Sequence, residues 1–146
     1  MGCQDDDGNE NSKPELLEVE SKYDYLANEV IEQDTNVGIY LGEESYSLPI
    51  TKLKVLLENK GKMAVEYDTS IYLDTFQDGV WVQIPYNDEL DFSMEAFDLR
   101  PGETFEQAIA IENLNYELTE GEYRIRKSIQ VVTENITIGD KFEIEH

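Results

Sequence analysis

Leu118-Thr119-Glu120-Gly121-Glu122-Tyr123-Arg124-Ile125-Arg126-Lys127-Ser128-Ile129-Gln130-Val131 is the stretch on which the fold turns. Tyr123, Ile125, Ile129 and Val131 fall on one face, and Arg124, Arg126, Ser128 and Gln130 fall on the other. Successive side chains of an extended chain point to opposite sides, so this alternation describes a strand with one buried face. Gly121 followed by Tyr123 adds a local signature at the strand entry. A tyrosine there suits a tyrosine corner, whose hydroxyl bonds back to upstream backbone. The alternative is a Tyr123 that fills the core, and either role is structural.

The same period recurs outward from this strand. Val37, Ile39 and Leu41 alternate with Gly38 and Tyr40. Leu53, Val55 and Leu57 oppose Lys52, Lys54 and Glu58, and Asn59-Lys60-Gly61-Lys62 closes that run as a turn. Met63–Gln77 carries Val65, Tyr67, Ile71, Tyr72, Leu73 and Phe76, and Asp78-Gly79 joins it to Val80-Trp81-Val82-Gln83-Ile84. Asp-Gly allows the positive φ angles of a tight hairpin. Asp91–Leu99 is a loosely alternating strand, and Arg100-Pro101-Gly102-Glu103 is a turn with Pro101 and Gly102 as its structural residues. Phe105, Ile109 and Ile111 share a face in Thr104–Glu112; Ile136–Ile138 and Phe142–Ile144 close the chain. Seven or so short strands separated by turns predict an all-β antiparallel sandwich.

The N-terminal part departs from this period. Residues 1–14 form an acidic tether with no apolar repeat. Leu16, Val19, Tyr23, Leu26 and Val30 recur at spacings of three and four, and Ser12 with Glu15 fits a capping box. This predicts a helix near 14–32, with an extra strand at Leu26–Ile31 as the competing reading. The expected organisation is a tether over 1–14, a helix or connector over 15–35 and a sandwich over 36–146.

The chain has 33 acidic and 11 basic residues, a formal net charge of -22. Such a field disfavours nucleic acid, whose phosphates need clustered Lys and Arg. It favours solubility and cationic partners. His146 is the only histidine and stands at the end, which argues against Ser-His-Asp and Cys-His catalysis. No catalytic residue, metal ligand or cofactor motif emerges. Asp5-Asp6-Asp7 and Asp88-Glu89 with Asp91 are acidic, but neither has the spacing of a calcium loop. Asn135-Ile136-Thr137 fits a glycosylation sequon by chance. Trp81 and Tyr86 are the candidate binding residues, Trp81 as an exposed sugar platform or as a cover for one end of the core.

Cys3, the only cysteine, follows Gly2 and precedes the acidic run Gln4-Asp5-Asp6-Asp7. The arrangement resembles the mature end of a bacterial lipoprotein, and the resemblance implies lipid on Cys3. No run approaches the length of a spanning helix, so lipid would be the sole membrane contact.

The stretch from about Val37 to Ile144 resembles immunoglobulin-like domains of secreted and lipoprotein chains of Gram-positive bacteria. The matching pieces are Val55-Leu56-Leu57-Glu58-Asn59, Tyr72-Leu73 leading to Asp78–Pro85, Leu99–Glu103, Gly121–Ile125 and Phe142-Glu143-Ile144. Phe97–Ile125 also looks like the bacterial intracellular proteinase-inhibitor domain, through its Pro-Gly-Glu turn and Gly-x-Tyr entry. These likenesses imply an Ig-like sandwich and pass on no catalytic residue. The expectation is a monomeric, non-enzymatic binding or scaffolding domain on the extracellular face of the cytoplasmic membrane. Its partner would be a protein or a cell-wall glycan. The alternatives are a proteinase inhibitor acting through Tyr86–Leu90 and a glycan-binding module.

Overall fold

The computed structural model describes residues 20–87, 92 and 95–145. Among them are eleven strands: β1 (Glu29–Glu32), β2 (Thr35–Leu41), β3 (Ser45–Ser47), β4 (Lys52–Asn59), β5 (Val65–Tyr67), β6 (Tyr72–Gln77), β7 (Val80–Gln83), β8 (Phe97–Leu99), β9 (Thr104–Ala110), β10 (Gly121–Val131) and β11 (Glu134–Glu145). One sheet has the order β9-β4-β2-β1. The other runs β3-β11-β10-β5-β8, with β6 also paired to β10 and carrying β7 on its far side. All pairings are antiparallel except that of β3 with β11, which is parallel.

The inner faces meet in a single core. Val37, Ile39, Leu53, Val55, Leu57 and Ile109 come from the four-stranded sheet, and Leu73, Ile125, Ile129, Ile138, Phe142 and Ile144 from the other. The predicted alternation in β2, β4, β9 and β10 is what supplies these faces. The turns follow their residues. Asp78 and Gly79 both have positive φ, 52° and 85°, as the two-residue hairpin between β6 and β7 requires. At Arg100-Pro101-Gly102-Glu103 the Glu103 amide donates to the Arg100 carbonyl at 2.9 Å, and Gly102 takes φ 86°. Pro101 presets the first corner, and glycine meets the second without a Cβ clash.

The structure corrects the sequence reading at the N-terminal end. The described part of the predicted helix, residues 20–32, contains no helix. It is an extended strap, followed by β1, which overlaps the competing strand reading over residues 29–31 and runs one residue past it. Its backbone groups find partners in the sheets. The Ser21 amide donates to the Trp81 carbonyl at 2.8 Å, the Gly139 amide to Ala27 at 3.0 Å and the Ile39 amide to Asn28 at 2.9 Å. The strap thus crosses the outer face of the seven-stranded sheet, from the edge of β7 to β11, and enters the other sheet. Leu16, Val19 and the Ser12–Glu15 capping box lie outside the described residues, as do Cys3, His146 and both acidic clusters. Of the loop Tyr86–Leu90, residues 88–90 lie outside them as well.

Two further runs break where the sequence reads as continuous. Met63–Gln77 splits into β5 and β6, and the described part of Asp91–Leu99 keeps only the short β8. Conversely, the two closing segments join into the twelve-residue β11.

Tyr123 forms the predicted corner. Its hydroxyl donates to the Thr119 carbonyl at 2.6 Å and accepts from the Thr119 amide at 3.0 Å. Its ring stacks on Phe142 with centroids 5.5 Å apart, and Gly121 at φ 149° opens the strand. Tyr123→Phe keeps the stack and removes both hydrogen bonds. The expected loss is about 1–2 kcal/mol, read as a lower urea midpoint with an unchanged slope. A loss below a few tenths of a kcal/mol would mean that the corner contributes packing alone.

Candidate functional site

Two polar clusters and one open groove stand out among the described residues. The first cluster lies under the strap. Asp74 is fully buried, and Arg124 and Arg126 both donate to it from their Nε atoms at 2.9 Å. The strand register puts Arg124, Asp74 and Gln83 in one row and Arg126 with Tyr72 in the next. The Arg124 Nη2 continues to the Ser21 hydroxyl at 3.0 Å and the Tyr23 carbonyl at 2.5 Å, while Arg126 Nη2 donates to Gln83 Oε1. Arg124 lies over the Trp81 ring, 4.5 Å from its centre, and Arg126 over Tyr72 at 4.9 Å. Two cations held by one carboxylate, with aromatic faces, the Tyr23 carbonyl and the Ser21 and Gln83 side-chain oxygens as further partners, form a latch for the strap. The Nε and Nη2 groups of both arginines are engaged in it.

The second cluster is Lys127, on the inner face between the sheets. Its ammonium donates to the carbonyls of Asp68 at 2.6 Å and Ser70 at 2.8 Å, and to Gln107 Oε1 at 3.3 Å. The two carbonyls belong to the break between β5 and β6, and Gln107 reaches in from β9, so Lys127 fills the gap that interrupts the ladder. Burial pushes the ammonium down, to about 8. The oxygen partners and the Asp68 charge act the other way and keep it protonated at neutral pH. The ordinary lysine value is 10.5. Between about 8 and 10.5 the unfolded chain therefore holds a proton that the folded chain releases, and stability rises with pH across that window. Wild type measured against Lys127→Met should gain up to about 3 kcal/mol from the lower to the upper limit. Urea titrations of both proteins check this, and a difference that stays flat contradicts it. Lys127 was overlooked in the sequence, although it shares the parity of Ile125 and Ile129 and so had to point inward.

The groove lies on the outer face of the four-stranded sheet and encloses about 470 Å³. Its position follows from the register. Ala108 stands beside Lys54, and Glu106 beside Leu56, which stands beside Tyr40. Ala108, Gly42 and Leu56 make a low floor, and Tyr40, Lys54 and Glu106 rise around it. Tyr40 lies flat over Gly38, where a Cβ would run into the phenol. The Tyr40 hydroxyl donates to Glu29 Oε2 at 2.7 Å, and Lys60 Nζ donates to that hydroxyl at 2.6 Å. Lys60 also pairs with Glu29 at 2.9 Å. Its ammonium is 5.1 Å from the ring centre but 2.6 Å from the hydroxyl, so it sits off the hydroxyl end near the ring plane. Tyr40 is half-buried and lines the groove. Partial burial pushes the Tyr40 phenol up, while the bonds from Tyr40 and Lys60 hold the Glu29 carboxyl down.

The sequence-predicted binding residues stand elsewhere. Trp81 is 8% exposed and packed against Phe76 and Arg124 on the outer face of the other sheet. It is neither an exposed hairpin tip nor an end cap of the core. Tyr86 is half-buried, donates to the Ile71 carbonyl at 2.6 Å and packs on Phe92. Burial pushes its phenol up. The two do not come together with the groove. Leu56 escapes the sequence reading because the groove depends on small neighbours across three strands. Gly38 two residues before Tyr40, inside an otherwise regular strand, was the available signal. Among the described residues no three acidic, cysteine or histidine side chains gather as a metal site, and no helix is long and apolar enough to cross a membrane.

Solved structures similar to the chain include a β-glucosidase from Erythrobacter marinus, at 16% identity and a TM-score of 0.43, over 76% of this chain and 16% of that one. A β-glucosidase from Listeria innocua in complex with glucose matches at 14% identity and 0.41, over 77% and 16%. An alkylpurine DNA glycosylase from Pseudomonas fluorescens, bound to DNA containing an abasic site analogue, matches at 18% and 0.41, over 75% and 30%. The chain therefore spans about a sixth of the length of the two glucosidases. No curated protein matches it. A family model described as a bacterial Ig-like domain matches residues 33–143, and the chain belongs to that non-catalytic family.

Proposed function

We propose that the chain is a binding domain of the bacterial cell surface. Lipid on Cys3 holds it on the extracellular face of the cytoplasmic membrane, and it binds through the outer face of its four-stranded sheet. The groove carries this reading. Leu56, Ala108 and the Tyr40 ring line apolar ground on a solvent face that would otherwise be polar, in a chain of charge -22. Concave apolar ground with a few placed polar groups is the usual form of a ligand site. The partner is a protein or a cell-wall glycan. Tyr40 favours the glycan as a second reading, because a fixed flat ring with an anchored hydroxyl suits the apolar face of a sugar. Trp81, which is covered, does not.

Leu56→Asp tests the reading. It places a charge on the groove floor at a half-buried position and leaves the inner face intact. Binding to the bacterium's own cell-envelope fraction should fall at least about tenfold, with the unfolding midpoint retained. Equal binding by both proteins would sink the proposal. Gly38→Ala displaces the Tyr40 ring, and on the glycan reading it also removes binding to cell-wall fragments. Cys3→Ser, made in the native gene, should move the protein out of the detergent phase; continued partition there removes the anchor.

A further inference from the structure

We infer that β9 is a strand-addition site for an extended, cationic segment of another protein. This inference rests on the groove reading above and deepens it by naming the kind of partner. β9 is the free edge of the four-stranded sheet. Two bonds fix the phase of its ladder: the Asn59 amide donates to Glu103 at 3.0 Å and the Ile111 amide to Thr51 at 2.9 Å. Odd-numbered residues between them bond to β4. The backbone N–H and C=O groups of Thr104, Glu106, Ala108 and Ala110 therefore point away from the sheet. Among the described residues no backbone group pairs with them, and Thr104, Glu106 and Ala108 are exposed.

Natural sheets protect such edges with short strands, Pro, Lys, bulges or a covering segment. The other edges here show these devices. β3 and β8 have three residues each, and β8 is followed by Pro101. β7 is covered by Glu20 and Ser21 of the strap. β1, at the far edge of the same sheet, has four residues. β9 has seven, its register is unbroken, and it contains neither Pro nor Lys. An open edge of this length supplies main-chain bonds to an incoming strand, and pockets beside it select alternate side chains. Here the pocket is the groove. A strand laid along β9 would set its outward side chains beside Glu106, Ala108 and Ala110, and the small Ala108 lets an apolar residue lean towards Leu56.

The charge chooses the partner. Glu106 stands on β9 itself and Glu103 and Glu112 at its ends, while Lys54 and Lys52 stand one strand further in, beside Ala108 and Ala110, so the edge that an added strand meets first is acidic in a chain of charge -22. A second copy would align acid with acid, at a cost that main-chain bonds must overcome. A segment whose outward side chains place Lys or Arg beside Glu106 and an apolar residue beside Ala108, two positions apart, meets the same surface favourably.

The test uses the full chain and a short peptide with Lys and Val at every second position in turn and Thr between them (Lys-Thr-Val-Thr-Lys-Thr-Val), followed by amide shifts and hydrogen exchange. Binding should protect the amides of Glu106, Ala108 and Ala110. Ala108→Pro deletes an outward N–H that makes no bond to β4. It should weaken the peptide at least about tenfold while the β10–β11 amide spectrum stays unchanged. Glu106→Lys should shift the preference towards the same peptide with Glu in place of Lys. Binding unaffected by Ala108→Pro would mean general attraction to the acidic surface and would overturn the inference. So would a wild-type dimer that Ala108→Pro splits, with no peptide protection at β9. If β9 fails while Leu56→Asp still abolishes envelope binding, the inference falls and the groove reading stands.

Discussion

Asp74→Ala should cost about 3–5 kcal/mol of folding stability, a large part of the total for a domain of this size. The reason is the pair of guanidinium groups that Asp74 serves, with side-chain exposures of 2% and 12%. Removing the carboxylate leaves two cations out of water with aromatic rings, the Tyr23 carbonyl and the Ser21 and Gln83 side chains as their remaining support. The triple change Asp74→Leu, Arg124→Met and Arg126→Met should recover much of the loss, since buried ion clusters are often no more stable than apolar replacements of like volume. It should nevertheless loosen the strap, because Ser21 and the Tyr23 carbonyl lose the donor that holds them. Urea unfolding measures the first effect, and amide exchange at residues 20–27 measures the second. An Asp74→Ala protein within about 1 kcal/mol of wild type would show that the cluster is wet or rearranges freely.

Gly139→Val should destabilise by about 2–3 kcal/mol, although valine is the better strand former. Propensity contributes at most about 1 kcal/mol in its favour. Against that, a Cβ at Gly139 would stand 2.5 Å from the Ile125 carbonyl oxygen and 3.1 Å from Leu26. The first contact is with backbone inside the longest ladder, the pairing of β10 with β11, and cannot yield as a side chain would. Opening it also disturbs the bond from the Gly139 amide to Ala27, so the strap loosens with the hairpin. Gly139→Ala should show most of the loss, because the clash begins at the first carbon. Equal stability of wild type and Gly139→Val would mean that β11 shifts at little cost.

Where the chain alternates, the sequence was a good guide. Leu53, Val55 and Leu57, and likewise Tyr123, Ile125 and Ile129, bury the faces that their spacing predicts. Asp78-Gly79 and Pro101-Gly102 make their turns because their backbone preferences are local. The strap was misread because Tyr23, Leu26 and Val30 sit at helical spacing while an extended chain crosses the sheet. Its hydrogen-bond partners, Trp81, Gly139 and Ile39, are remote in sequence. Local pattern cannot reveal such partners. The same holds for the site. Tyr40, Leu56 and Ala108 are unremarkable one at a time and become a groove only through the register of β2, β4 and β9.

Hydrogen exchange of the full chain, with and without the bacterium's own cell-envelope fraction, tests the central claim most directly. The account predicts added protection in peptides covering Thr35–Leu41, Lys52–Asn59 and Thr104–Ala110, with the strap and the β10–β11 hairpin unchanged. Protection confined to the strap or to the hairpin around Val132, or no protection at all, would contradict it.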